Sequence, residues 1–287
     1  MGKSRSLSFK TLYTNGDSWT AGHFIQPKLE KEGIRDCNNP ANKKYRLKYA
    51  WPAYTASRIG CNVINNAHPG ASNDHIVRST INDIEELLLT TPAKDLYVLV
   101  GFSSPERKDF YYKNKEVHGW DTYYPVEYRH WTDKTDSFRQ DMYKSYVTRY
   151  WNKEEYFTRH ILNLITLSNY LRSKRVKYKF FDAFYESKAV ALEAKPAIYK
   201  NPILKDSINR WFDEEETGTL KHVGVNNMKD IYNKILKRDF LKYSFAEYLI
   251  DGLNLRDKMF KRSNYLVNHP TKLGHQEWGE YIANLYR

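Results

Sequence analysis

Two hydrophobic patterns alternate along the 287 residues. Short runs of apolar, β-branched or aromatic residues occur at Thr11–Thr14, Asn62–Asn66, Leu96–Val100 and Tyr178–Phe181. Each run stops at residues that break strands: Asn15-Gly16, His68-Pro69-Gly70, Gly101 and Asp182. Near-continuous apolar strands of this kind suit a parallel sheet buried on both faces. Longer segments with helical spacing lie between them. Asn73 to Leu89 carries Ile76, Ile81, Ile84 and Leu87 on one side, with Ser72 or Asn73 placed to cap its start. Glu154 to Leu171 repeats Phe157, Ile161, Leu164 and Leu167. This alternation predicts an α/β fold, a three-layer α/β/α sandwich with a mainly parallel sheet, in one domain over residues 1–287. Ligand sites in such sheets lie at the carboxyl ends of the strands.

Two stretches interrupt the pattern and read as helical or aromatic insertions. Residues 110–150 are crowded with rings, among them Trp120, Tyr123, Tyr124, Tyr128, His130 and Trp131. Residues 189–249 are helical in character and include Trp211, Phe212 and the acidic run Asp213 to Glu216. Both suit a lid or pocket wall, and equally a second helical layer with ordinary ring packing.

Charge and cysteine content narrow the classes. Lys and Arg outnumber Asp and Glu by 46 to 34, a net charge of +12. Such an excess favours anionic partners, or it serves solubility alone. No zinc-finger spacing, arginine-rich arm or RNP-like signature accompanies it, so nucleic acid as a partner has no motif behind it. Cys37 and Cys61 are too few to staple the fold, which points to a reducing compartment. The polar start, Met1 to Ser6, reads neither as a signal peptide nor as a membrane span. The expected location is therefore cytoplasmic, with no membrane partner.

The candidate chemistry sits at the two ends of the chain. Gly16-Asp17-Ser18 follows a predicted strand directly, which puts the Ser18 hydroxyl at the carboxyl edge of the sheet. A helix start beside it supplies N–H groups to a developing oxyanion. Near the other end runs Asn268-His269-Pro270-Thr271-Lys272-Leu273-Gly274-His275. His269, held extended by the following Pro, suits a general base for a serine. His275 falls on the helix after Thr271 and reads as a packing or hydrogen-bonding residue. His68, Asp74 and His75 lack the arrangement of a metal site, and no phosphate loop is present, so no cofactor or metal is expected.

Together these blocks, with His68-Pro69-Gly70-Ala71-Ser72-Asn73-Asp74 between them, resemble the SGNH (GDSL-like) hydrolases. The resemblance implies a flavodoxin-like sheet, an ester or related acyl substrate, Ser18 as nucleophile and His269 as base. It assigns the oxyanion hole to the backbone N–H groups of Ser18 and Gly70. Asp17 and Asn73 take supporting places. The stretch Gly101-Phe102-Ser103-Ser104-Pro105-Glu106-Arg107 resembles a bacteriophage-encoded branch, as does the Tyr-, Lys- and Asn-rich composition.

Two departures from that pattern bear on the chemistry. Ser103 stands where the family has an Asn that donates to the oxyanion, so the resemblance passes this role to Ser103, with Arg107 or Asn73 able to compensate. Glu106 and Arg107 also suit a simple loop ion pair. Leu266 stands where the family has the acid that orients the histidine. A Ser–His dyad is then one reading, and a carboxylate from elsewhere, such as Asp251 or Asp257, is another. The expected function is a serine esterase or acyl hydrolase acting through an acyl-enzyme on a small-molecule or glycan ester, anionic ones included. Its alternatives are a binding or virion structural protein on a weakened SGNH scaffold, or an acyltransferase using the same Ser–His pair.

Overall fold

The computed structural model of the chain describes residues 9–23, 25, 40–113, 118–123, 141–142, 145–146, 149–151, 153–183, 225–249, 260–261 and 269–286. Strand β1 (Thr11–Asn15) leads into the short helix α1 (Ser18–Ala21), followed by α2 (Pro40–Tyr49) and α3 (Trp51–Ile59). Next come β2 (Asn62–Asn65), α4 (Asn73–Leu88) and β3 (Leu96–Phe102). A hairpin of β4 (Lys108–Lys113) and β5 (His118–Tyr123) precedes the long α5 (Lys153–Ser173) and β6 (Lys177–Asp182). The remainder is α6 (Val225–Asp239), α7 (Phe245–Glu247), β7 (Phe260–Lys261), β8 (His269–Pro270) and α8 (Lys272–Asn284).

The fold is α/β, as the alternating pattern predicts. Four parallel strands pair in the order β2-β1-β3-β6, and an isolated parallel bridge, Phe180 to Phe240, extends the sheet beyond β6. Alternate residues of β1, β3 and β6 feed two separate cores. Leu12, Tyr97, Leu99 and Phe181 pack on one face with Trp51, Ile59, Trp278 and Ile282 of α3 and α8. Tyr13, Val98, Val100 and Phe180 pack on the other with Ile76, Ile84, Ile161, Leu164 and Leu167 of α4 and α5. The sheet is thus apolar on both sides because helices cover both, giving three layers.

Local signals set the helix ends. Ser72 caps α4 by accepting the His75 N–H at 3.0 Å, which settles the choice between Ser72 and Asn73. Thr271 caps α8 by accepting from Gly274 N. Within residues 110–150 the structure differs from a purely helical layer, since β4 and β5 form an antiparallel hairpin. Tyr124, Tyr128, His130, Trp131, Trp211, Phe212 and the acidic run 213–216 lie outside the described residues, as does the Phe157 side chain. Among the described residues no helix is long and apolar enough to cross a membrane.

The chain moves from β2 past β1 to β3, so strand order reverses beside β1. The crevice at such a switch point, between the carboxyl ends of β1 and β3, is where open α/β sheets hold ligands. Gly101 of β3 lies at this crevice with little room around it. A Cβ built there would stand 2.5 Å from Phe181 Cζ and 2.8 Å from Thr20 Oγ1. Because Phe181 is fully buried and cannot swing away, Gly101→Ala is expected to cost about 1–3 kcal/mol of stability through overpacking. A urea unfolding midpoint unchanged from the parent would contradict this reading of the crevice.

Candidate active site

The turn after β1 is built by side chains that lock its backbone. Asn15 is buried, accepts from Gly16 N at 2.8 Å and donates to Ser79 Oγ and Thr80 Oγ1 of α4, each at 2.9 Å. Gly16 is required by close approach, since a Cβ there would meet Gly101 O at 2.9 Å and Thr20 Oγ1 at 2.5 Å. Asp17 is the extended N-cap of α1 and accepts from Trp19 N at 3.0 Å. Ser18 is then the first helical residue. Helix starts leave N–H groups unpaired within the helix, and in α1 that of Trp19 is taken up by the Asp17 side chain.

His269 arrives from the far end of the chain. It pairs across from Lys261 in the two-residue strands β7 and β8, immediately before the Thr271 cap of α8. Its Nε2 lies 2.9 Å from Ser18 Oγ, and both residues are buried, each 5% exposed. With Nε2 facing the hydroxyl, Nδ1 faces away from it. Leu266, Asp251 and Asp257 lie outside the described residues. The His23 ring stands edge-to-face with that of His269, centroids 5.6 Å apart at 73°. Sequence reasoning missed His23. It reaches this place because Gly22, left-handed at φ 70°, ends α1 and folds the chain so that the His23 N–H bonds Ser18 O at 2.8 Å.

The loop after β2 lies against the same turn. His68 N donates to Gly16 O at 3.0 Å, Asn65 Nδ2 donates to Thr20 O at 3.1 Å, and a turn closes from Ala71 N to His68 O. Gly70 sits in that turn, exposed and left-handed at φ +83°. This conformation directs its backbone differently from its neighbours and favours glycine.

Ser103 is placed differently from the expectation. Its hydroxyl donates to Asp17 Oδ2 at 2.9 Å and accepts from Arg107 Nη1 at 2.8 Å, so its one proton is aimed at Asp17 rather than at the crevice. Asn73 is also engaged. Its Oδ1 accepts from Ser103 N at 2.8 Å, and its Nδ2 donates to Ser103 O at 3.0 Å and lies 3.1 Å from His160 Nδ1. Arg107 pairs with Asp17 at 3.4 Å and donates to Ala71 O at 3.2 Å, instead of forming only a loop pair with Glu106. Burial pushes the Asp17 carboxyl above the ordinary carboxylate value, while Arg107, the Trp19 N–H and Ser103 pull it back. Asp17 therefore braces the turn.

Among the described residues no group of three or more His, Cys, Asp or Glu side chains is arranged to hold a metal ion. Asp74 is held by Arg159 at 3.0 Å and Asn163 at 2.8 Å. His275 accepts from Trp51 N through Nδ1 at 3.3 Å.

Two histidines near the site are buried in neutral form. Burial lowers both His160 and His275 to about 3, well below the ordinary value of about 6.5. Between pH 6.5 and 3 the unfolded chain binds these protons and the native chain does not. Their contribution to stability is present above that window and is lost as pH falls through it. The slope is about 1.4 kcal/mol per pH unit for each ring. Asp17, raised rather than lowered, acts in the opposite sense. The urea midpoint is expected to drop from pH 7 to pH 4.5, and His275→Gln, which keeps an acceptor for Trp51 N, should make that drop shallower. An equal drop in parent and variant would show that His275 is not the group responsible.

The profile of the family described as "Family of unknown function (DUF6071)" matches residues 32–219. No curated protein matches the chain. Solved structures similar to it include a member of the lipolytic G-D-S-L family from Veillonella parvula, 13% identical with TM-score 0.42, covering 96% of this chain and 97% of that one. The psychrotrophic esterase EstA from a Pseudoalteromonas species is 11% identical with TM-score 0.43, covering 96% of each chain. LAE5, an α/β hydrolase from the metagenome of Lake Arreo in Spain, is 11% identical with TM-score 0.45, covering 97% and 96%. Likeness at this level assigns no role to any residue.

Proposed function

This chain belongs to the DUF6071 family of unknown function, and we propose that it is a serine acyl hydrolase of SGNH type with Ser18 as nucleophile and His269 as base. The observation that carries this reading is the buried 2.9 Å contact between Ser18 Oγ and His269 Nε2, made by residues 251 positions apart at the switch point of the sheet. A serine hydroxyl is a weak nucleophile until a base removes its proton, and a neutral imidazole nitrogen at hydrogen-bond distance is able to do so.

In the proposed reaction His269 Nε2 takes the Ser18 proton as Oγ attacks the carbonyl carbon of an ester. The negative charge on the carbonyl oxygen is stabilised by the backbone N–H groups of Ser18 and Gly70. Collapse of the tetrahedral adduct expels the alcohol, which leaves with the proton from His269. Water, deprotonated by His269, then attacks the acyl-enzyme and restores Ser18. Ser103 takes no part as an oxyanion donor in this scheme, because its proton is directed to Asp17. The same diversion of Ser103 favours the rival reading, a scaffold with weakened chemistry that binds rather than turns over. An acyltransferase would use the same first half-reaction with an alcohol in place of water.

A fluorophosphonate probe followed by mass spectrometry separates these readings. Labelling is expected at Ser18, lost in Ser18→Ala, with hydrolysis of p-nitrophenyl acetate falling at least about a hundredfold in His269→Ala. Absence of labelling would support the binding scaffold. Hydrolysis by His269→Ala as fast as the parent would remove His269 as the base.

A further inference from the structure

The β4–β5 hairpin presents two different faces, and one of them is unlike ordinary protein surface. Tyr111 and Trp120 are direct cross-strand partners, and both remain more than half exposed, at 55% and 54%. Their rings form a corner, with centroids 5.4 Å apart and planes at 79°. The Trp120 ring is also fixed from α4, whose Arg78 guanidinium stacks on it 4.0 Å from the centroid. Arg78 is anchored in turn by an ion pair at 2.8 Å to Asp109, whose carboxylate is nearly fully buried. Asp109 also accepts from Ser72 Oγ at 2.6 Å and Thr122 Oγ1 at 2.7 Å.

An exposed indole forgoes the stabilisation of burying one of the largest apolar side chains. Here it is also held rigid by a cation that is itself locked to a buried carboxylate. That combination pre-organises a ring face without contributing to either core. We propose that the Tyr111–Trp120 corner, with Arg78, is a binding subsite for an acidic oligosaccharide, meaning a chain of sugar rings that carry carboxylates.

The chemistry of the corner selects that class. Aromatic faces are electronegative and attract the C–H-rich face of a pyranose. One wall of the corner supports the ring and the other limits its sideways movement. The Arg78 side chain is 36% exposed, and only Nη2 of its guanidinium is used on Asp109, so N–H groups remain at the edge for a sugar carboxylate. The chain's net charge of +12 draws polyanions to it. A single-stranded nucleic acid fits less well, because it needs successive stacking platforms along a cationic groove. The subsite communicates with the loop that carries Gly70, since Ser72 both caps α4 and holds Asp109. Tyr111 stands three residues along β4 from Lys108, which follows the Asp17-bonded Arg107. By strand rise the corner lies about 10 Å from there, a span that an oligosaccharide bridges and a single sugar does not. The subsite does not depend on turnover, so it stands or falls separately from the acyl hydrolase reading.

Affinity electrophoresis of the full chain in gels containing polygalacturonate, alginate or hyaluronan tests it, with neutral dextran gels and a fluorescent ten-residue oligo-dT in solution as comparisons. At least one acidic polysaccharide is expected to retard the parent. Trp120→Ala and Tyr111→Ala are each expected to weaken that binding at least about tenfold, roughly the strength of one ring-stacking contact. Trp120→Phe should recover part of it. Both residues are exposed, so circular dichroism and the urea midpoint should match the parent. His269→Ala should be retarded as the parent is, which keeps this result independent of the chemistry at Ser18. The proposal is overturned if no acidic polysaccharide retards the protein, or if Trp120→Ala is retarded equally. Binding of oligo-dT alone, lost in Trp120→Ala, would overturn it in favour of a base-stacking platform.

Discussion

A carboxylate with no exposed surface sits at the turn between β1 and α1, and the arrangement of the site follows from keeping it satisfied. An unpaired buried charge costs several kcal/mol, so Asp17 needs donors from every direction in which it could otherwise meet solvent. It receives the Trp19 N–H from its own helix, the Ser103 hydroxyl from the end of β3 and the Arg107 guanidinium from the loop beyond. These three donors come from two strand ends on either side of the switch point. Satisfying Asp17 therefore holds the crevice at a fixed width and fixes Ser18, the next residue, as the start of α1. The carboxylate acts on the site through geometry, by orienting the backbone of Ser18.

The brace is itself braced from the helical layer behind it. Asn73, the first residue of α4, grips Ser103 through both the backbone N–H and the carbonyl, a two-point clamp that fixes the residue's orientation as well as its distance. Arg159 of α5 donates to the carbonyls of Arg107 and Pro105 and to Asp74, tying the whole 103–107 loop to two helices. His160, adjacent to Arg159, is buried and neutral and lies 3.1 Å from the Asn73 amide. A protonated imidazole there would face that amide donor and the Arg159 cation with a like charge. Its depressed proton affinity and the clamp are thus parts of one arrangement. Burial is the larger cause, and the neighbouring guanidinium adds to it.

Much of this was legible in the sequence, and the boundary of legibility has physical causes. Strand β3 was visible because a strand buried on both faces must be apolar nearly throughout, as Leu96 to Val100 is, while the half-exposed β2 and β6 showed as short β-branched or aromatic runs ending at turn residues. The helices over Asn73–Leu88 and Lys153–Ser173 were visible from their apolar stripes, to within two residues at each end. The meeting of Ser18 with His269 was expected from the resemblance of their two blocks, in that order, to the SGNH pattern. The hairpin was hidden, since Lys108-Asp109-Phe110-Tyr111-Tyr112-Lys113 mixes charge and rings without a clean alternation. One face of that hairpin covers the buried Asp109 carboxylate, paired with a part-exposed Arg78, instead of a core. The direction of the Ser103 hydroxyl was hidden for another reason. A resemblance by position says which residue replaces the Asn, but a shorter side chain beside a buried carboxylate bonds to what is nearest. Here that is Asp17.

The two histidines of the C-terminal block, six residues apart, stand in different surroundings: one faces the Ser18 hydroxyl and the other joins two helices. His269 lies in extended backbone before Pro270, where its ring projects into the crevice. His275 lies on the buried side of α8, and its Nδ1 accepts the N–H of Trp51, the first residue of α3. The N-cap position of α3 is Ala50, which has no side chain able to accept a bond, so an orphan donor of that helix is satisfied by a residue 224 positions away. A helix N-terminus favours a neutral or negative acceptor over a cation, and burial already holds His275 neutral, so the two effects agree. The bond joins α8 to α3 in the layer where Trp51 and Trp278 share one core. Fixing α8 fixes its cap, Thr271, and so the short strand immediately before it. His275 thereby helps hold His269 within reach of Ser18 without itself approaching that contact. A second histidine in the block needs no chemistry of its own to be required there.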